Sequence, residues 1–389
     1  MTRTILAVTA ALAVSGVAMQ GQGKQVTVPG GGSLPFSLAV KADGLIYVAG
    51  TLSQKGDIKA QTKGVLDSIG QTLEKSGSSL ANVVAAHVYL TNAADAAGMT
   101  EVWRGVWPKD APTRTTVVAK LVSPSALIEI SVVAVPTGAE RVVVTPQGWS
   151  TANPYSYAIR TGDTLFMSGV VSRNTSSNEP IDGDFATQTK QVMTTAGELL
   201  KAAGFGFEHV VSSRVYINDV AGFQDMNRNY TPSFPKEPPA RATVVTGLPG
   251  PTYKVEMTFI AHRGAKQAFT TPGPDGSPGR ASATLSSAIK AGNRLYLSGI
   301  LGSTAETKGD MKGQAAESLA RIGRTLTAAG YSWSDVVDSL VYITDISQFN
   351  AMNEAYREAF GKDFPARATV GTGLVGGDGL VEIMLTASK

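Results

Sequence analysis

The stretch Phe364-Pro365-Ala366-Arg367-Ala368-Thr369-Val370 returns as Pro238-Pro239-Ala240-Arg241-Ala242-Thr243-Val244 and, more loosely, as Ala111-Pro112-Thr113-Arg114-Thr115-Thr116-Val117. Working outward, Val88-Tyr89, Val215-Tyr216 and Val341-Tyr342 stand in the same register, as do Gly77, Gly204 and Gly330. The spacing of about 126 residues is far above the 20 to 50 of a solenoid repeat, so each copy must be a complete domain with its own core. We place the copies at residues 24–138, 139–264 and 265–389.

Each copy reads as the same α+β series, β-β-α-β-α-β-β. A β-hairpin comes first, with Asp43-Gly44, Gly162-Asp163 or Gly292-Asn293 at its turn. A helix follows, whose apolar stripe is Leu66, Ile69 and Leu73 in the first copy, Met193, Ala196 and Leu200 in the second, and Leu319, Ile322 and Leu326 in the third. Gly77, Gly204 or Gly330 stops it, because glycine enters the left-handed conformation cheaply. Next come a β-branched strand such as Val336 to Ile343, a second helix capped by Asn92, Asp219 or Asp345, and two closing strands, with the helices free to cover one face of a mixed sheet. Pro272 to Arg280 is the longest Pro/Gly-rich linker.

Composition narrows the function. The chain is 43% hydrophobic and 17% charged with a formal net charge of +3, and no block of like charges marks a nucleic-acid surface. Cysteine is absent, which excludes disulfides, thiolate metal sites and a cysteine nucleophile. His87, His209 and His262 fall at unrelated positions in their copies, so no metal-ligand set recurs, and no phosphate-binding glycine loop precedes a helix. We therefore expect no metal, no cofactor and no nucleic-acid partner. Residues 1–21 have a positive start, an uncharged apolar run from Ile5 to Val17 and small residues at Gly16 and Ala18, the layout of an export signal cleaved near Ala18. The expectation is an exported, periplasmic or secreted protein that is free of the membrane after cleavage.

In every copy the arginine is followed fifteen residues later by a glutamate: Arg114 and Glu129, Arg241 and Glu256, Arg367 and Glu382. A short turn between two strands would bring such a pair onto neighbouring parts of one sheet, facing one cleft. A guanidinium presents a planar fork that matches a carboxylate, and a glutamate in a dry cleft has its pKa raised toward the proton-transfer range. A structural ion pair at the domain edge is the competing reading.

These residues, with the Ser168-Gly169 and Ser298-Gly299 steps, the helix ending in Ala-Ala-Gly, the Val-Tyr strand, a helix with Met-Asn and Tyr, and Phe-Pro-Ala-Arg-Ala, make the chain resemble the RidA (YjgF) family of reactive-intermediate deaminases. The third copy matches best and the first diverges most, yet the resemblance covers essentially the whole chain after the leader. It implies tandem RidA-like, chorismate-mutase-like domains. Single-domain members form homotrimers with ligand sites between neighbours, so the fusion resembles that trimer made covalent, a monomer acting as a pseudo-trimer.

The resemblance further implies that Arg114, Arg241 and Arg367 fix the carboxylate of a small-molecule substrate and that Glu129, Glu256 and Glu382 position the water. The implied reaction is hydrolysis of a 2-imino or 2-enamino acid to a 2-oxo acid and ammonia. The alternatives are non-catalytic binding of small carboxylates and, more remotely, an endoribonuclease or translation-inhibitor role. Tyr155 matches the family's pocket tyrosine, with Phe36 and Leu285 in the other copies, so one cleft alone keeps the hydroxyl. Asn227 and Asn353 match a polar pocket position, where the first copy has Thr100. At the Ser-Gly step, where the first copy has Ala49-Gly50, small residues let backbone approach a ligand, or the glycine marks a bulge. Thr116, Thr243 and Thr369, two residues after each arginine, are either polar contacts or plain strand residues.

Overall fold

The computed structural model describes residues 23–32, 34–250 and 252–389. The leader read at 1–21 lies outside the described residues. Among those described, no helix is long and apolar enough to cross a membrane.

Domain 1 runs β1 (Gln25–Val28), β2 (Ala39–Ala42), β3 (Leu45–Leu52), α1 (Ile58–Lys75), β4 (Val83–Leu90), α2 (Ala96–Val106), β5 (Thr113–Val118), β6 (Lys120–Leu121) and β7 (Ile128–Ala134). Domains 2 and 3 repeat the plan with helices α3 (Phe185–Ala202), α4 (Phe223–Tyr230), α5 (Met311–Ala328) and α6 (Phe349–Phe360). The first sheet has the order β1-β2-β3-β7-β4-β5, in which β4 and β5 are parallel and the other pairs antiparallel.

Besides two-residue strands such as β6, one edge strand at the start of each domain exceeds the sequence reading. β1, Val142–Val144 and Lys266–Phe269 each add an edge to the hairpin that follows. These runs are short, lie between Pro- and Gly-rich segments and are half exposed, so they carry little periodic signal.

The local chemistry follows the sequence. Asp43 and Gly44 both have positive φ, at 44° and 73°, as a two-residue hairpin turn of the required hand demands. The stripes predicted for α1, α3 and α5 are buried in three separate sheet–helix cores. Gly77, Gly204 and Gly330 take φ of 79°, 77° and 79° just beyond these helices. Asp57 and Asp184 cap α1 and α3, accepting from the backbone N–H of Ala60 and Thr187 at 2.9 and 2.8 Å. Asn92, Asp219 and Asp345 cap short 3₁₀ turns that lead into α2, α4 and α6, not the helices themselves.

With helices on the outer face of each sheet, the inner faces meet around a pseudo-threefold axis. Tyr89, Tyr216 and Tyr342, from the Val-Tyr strands, share one buried cluster there with Val117, Val244 and Val370. The seam is cyclic. β6 pairs with Ala366–Gly371 of domain 3, Gly373–Leu374 of domain 3 pairs with Ala240–Val245 of domain 2, and Gly247 of domain 2 bridges to Val118 of domain 1. Each edge strand thus finds its last hydrogen-bonding partner in the neighbouring copy, which removes the free edge that an isolated domain would expose. The chain is a covalent pseudo-trimer.

Candidate active site in the clefts between domains

The sheet order decides which arginine meets which glutamate. Within one domain β4 lies between the strands that carry them: Arg114 is in register with Ala86 and Glu129 with Tyr89. The expected same-copy pairing is therefore corrected, because the turn between the two strands spans an intervening strand. The residues come together across copies instead. Arg114 faces Glu256, Arg241 faces Glu382 and Arg367 faces Glu129, each glutamate lying in the field of that arginine. Domain 1 with 2, 2 with 3 and 3 with 1 define three clefts.

Backbone contacts build each cleft. In the first, the Arg114 carbonyl accepts from Gly169 N–H at 3.1 Å, and its N–H donates to Ser168 Oγ at 2.9 Å. In the second, Arg241 makes the same pair with Gly299 (3.1 Å) and Ser298 (2.7 Å). Ser168 and Ser298 also donate to the Ser156 and Ser286 carbonyls at 2.7 and 2.6 Å, so both hydroxyls are spent on the seam between domains. The third cleft has Ala49 at that position.

The glycine of this step does two jobs. The strand irregularity between Val48 and Thr51 is a bulge, and the glycine also gives way to the glutamate. A Cβ on Gly50, Gly169 or Gly299 would stand 1.9, 1.8 or 1.8 Å from Oε1 of Glu129, Glu256 or Glu382. The backbones of Thr369, Thr116 and Thr243 in the neighbouring domain hydrogen-bond to the same three carboxylates. The threonines thus contribute main chain to the site, while the Thr243 and Thr369 hydroxyls are buried without a partner.

The electrostatics are those of a dry site. Burial pushes the carboxyls of Glu129 and Glu382 up to about 8 and that of Glu256 up to about 7, against the pull of a backbone hydrogen bond and the facing arginine. Burial also lowers the arginines, to about 10 for Arg114 and Arg367. Each guanidinium rests on an aromatic wall. The distances to the ring centroids are 5.2 Å from Arg114 to Trp103, 4.8 Å from Arg241 to Tyr230 and 4.6 Å from Arg367 to Tyr356. These three aromatics were missed as site residues, although they stand in register on the second helix of each copy. Nε and Nη1 of Arg241 and Nη1 of Arg367 are buried with no hydrogen-bond partner among the described residues. An unpaired buried donor is costly, and a bound carboxylate is the group that would satisfy it.

The remaining predicted residues divide by cleft. Tyr155 joins the first cleft, with its ring 5.4 Å from the Arg114 guanidinium. Phe36 takes the corresponding place against Arg367 at 5.4 Å. Asn353 Oδ1 accepts from Arg367 Nη2 at 2.7 Å, whereas Asn227 Oδ1 has no partner. The first cleft encloses a cavity of ≈ 130 Å³ whose lining includes Arg114, Tyr155, Gly169, Arg173, Tyr253 and Glu256. Arg173 and Tyr253 were also missed, since neither recurs in the other copies: Gln54 and Ser303 stand for the first, Ala126 and Gly379 for the second.

Comparison with known proteins agrees with this reading of the fold. The family model described as Endoribonuclease L-PSP matches three times, at residues 32–136, 145–263 and 277–389. A RutC family protein of Sulfurisphaera tokodaii is 37% identical over 123 residues, which is 31% of this chain and 98% of the relative. The 2-iminobutanoate/2-iminopropanoate deaminase of Homo sapiens is 34% identical over 125 residues, 32% of this chain and 90% of the relative. Among solved structures, a chorismatase superposes with a TM-score of 0.55 at 17% identity, covering 79% of this chain and 93% of its own, a likeness of fold.

Proposed function

Because the chain belongs, three times over, to the RidA family described as Endoribonuclease L-PSP, whose relatives include named reactive-intermediate deaminases, we propose that it hydrolyses 2-imino and 2-enamino acids to 2-oxo acids and ammonia in the clefts between its domains. The observation that carries the reading is the pairing, in every cleft, of an arginine from one copy with a buried glutamate of raised pKa from the next.

The arginine takes the substrate carboxylate on its planar fork and so fixes the imine carbon relative to the glutamate. As carboxylate, the glutamate takes a proton from water while the water oxygen bonds to the carbon of the protonated imine, giving a carbinolamine. As carboxylic acid, it returns that proton to nitrogen; the C–N bond then breaks as the carbinolamine hydroxyl gives its own proton back to the carboxylate and becomes the C=O, leaving ammonia and the 2-oxo acid. A group poised near pH 7 to 8 serves both steps. The small cavity of the first cleft suits a compact acid.

The test is ammonia release from 2-iminobutyrate generated in situ, with wild type compared with the triple variant Arg114→Ala, Arg241→Ala, Arg367→Ala. Wild-type release that disappears in a variant still folded by circular dichroism is the expected result. No release from wild type sinks the reading.

One observation favours a second role at two of the clefts. Phe36 and Leu285 replace Tyr155, so the first cleft is the one for turnover and the others for binding small carboxylates. Export is part of the same proposal, resting on the uncharged apolar run from Ile5 to Val17. An N-terminus starting near Met19 in the secreted or periplasmic fraction would support it, and an intact Met1 there would not.

A further inference from the structure

Resting on that reading, we propose that the first cleft is specialised for short acids with two carboxylates, and that Arg173 receives the second. Arg173 lies on a segment that the other copies lack at this length. Residues 172–183 separate the strand Val170–Val171 from Asp184, the cap of α3, whereas 53–56 suffice in domain 1 and 302–309 in domain 3. The segment folds back on itself through the bridge between Arg173 and Pro180.

The guanidinium is held in place before any ligand arrives. Its Nη1 donates to Asn178 Oδ1 at 2.9 Å and to Tyr155 Oη at 3.1 Å, its Cζ sits 5.6 Å from the Tyr253 ring centroid, and the guanidinium also hydrogen-bonds the Tyr253 side chain. Asn178 itself takes a left-handed φ of 67° and donates to Asn153 at 2.9 Å. Yet among the described residues Nε of Arg173 is buried with no hydrogen-bond partner, and the side chain lines the same cavity as Arg114 and Glu256. A purely structural clamp would spend its donors within the loop. This one keeps a donor of the fork unspent beside the cavity.

Three further differences point the same way. Ala96 stands where Phe223 and Phe349 press on Arg241 and Arg367, which opens the first cleft. Accordingly Arg114 is half-buried, whereas Arg241 and Arg367 are each 3% exposed. Charge then sets the ligand. Whatever the protonation state of its glutamate, the first cleft holds one guanidinium more than each of the others, so a ligand there needs one carboxylate more to leave no buried charge unmatched. The substrate class is a 2-imino dicarboxylic acid, with the 2-carboxylate on Arg114 and the distal one on Arg173.

Calorimetric titration of the full chain with glutarate, succinate and butyrate, none of which can react, tests this apart from turnover. The expected result is one site per chain that prefers a dicarboxylate over butyrate by at least about tenfold, with that ratio collapsing toward one in Arg173→Gln. Should Arg173→Gln fail to fold, Arg173→Lys answers the same question, since loss of the fork lowers the ratio at least about threefold. A wild-type ratio near one, or a ratio that survives whichever folded variant is used, overturns the proposal. A dicarboxylate preference without ammonia release from either 2-iminobutyrate or 2-iminoglutarate, each generated in situ, refutes the deaminase reading alone, and ammonia release without the preference refutes this one alone.

Discussion

The first and third clefts are built from the same strands and the same Arg–Glu pair, yet they differ in what surrounds the arginine. Arg367 is shut in: Tyr356, Phe36 and Phe349 stand 4.6, 5.4 and 5.6 Å from its guanidinium, and Asn353 takes one of its donors. Arg114 has Trp103 and Tyr155 at 5.2 and 5.4 Å, Ala96 in place of the third ring, and a second arginine across the cavity. The glutamates respond in the same sense. Burial raises the Glu129 carboxyl to about 8 against one arginine in its field, and the Glu256 carboxyl to about 7 against two. Covalent fusion permits this divergence, which three identical subunits could not show, because each cleft now has its own sequence.

The sharpest way to break the comparison is to neutralise one glutamate at a time. Glu256→Gln should lower the kcat for ammonia release by about 100-fold or more, the usual scale of a lost general acid–base group. Glu129→Gln should remove only a minor share of the total. Equal losses would mean that the clefts are equivalent catalysts.

Stability against pH gives a second, smaller contrast. Unfolded, these carboxyls ionise near 4.5; folded, they keep their protons up to about 7 or 8. The folded chain therefore holds more protons across that interval, so this contribution to stability is full below 4.5 and is lost as pH rises through the folded pKa. Thermal melts should show Tm falling from pH 5 to pH 8. Glu129→Gln should flatten the fall up to about pH 8, and Glu256→Gln only to about pH 7. A Tm that rises over this range in wild type contradicts the burial assignment.

The smallest effect expected is a gain. Phe36→Tyr places a phenol where the third cleft has a bare ring, and it should raise ammonia release by up to roughly twofold if one more cleft comes to work as the first does. No change in rate would show that the hydroxyl alone does not separate the clefts.

Much of this was legible because it repeats. Gly77, Gly204 and Gly330, the stripes of α1, α3 and α5 and the arginine motif each appear three times at one spacing, so chance and function separate without any tertiary information. Trp103, Tyr230 and Tyr356 were equally periodic, but an aromatic on an amphipathic helix reads first as core, and only the ring-to-guanidinium distances make it a wall of the site. Arg173 and Tyr253 had no repeat to betray them. The short edge strands at the start of each domain were invisible for a different reason: they are three or four residues long and only partly buried, too short to show a period, and pairing with a hairpin holds them in place.

The sequence by itself determined that there are three domains, the order of their elements, and which arginines and glutamates recur in register, because periodicity, capping and turn geometry are local properties of the chain. Only the tertiary structure decided that each arginine serves the glutamate of the next domain. Strand order within a sheet, and the contacts between sheets, are set by which edges and faces can be buried together, and that is a property of the whole assembled chain.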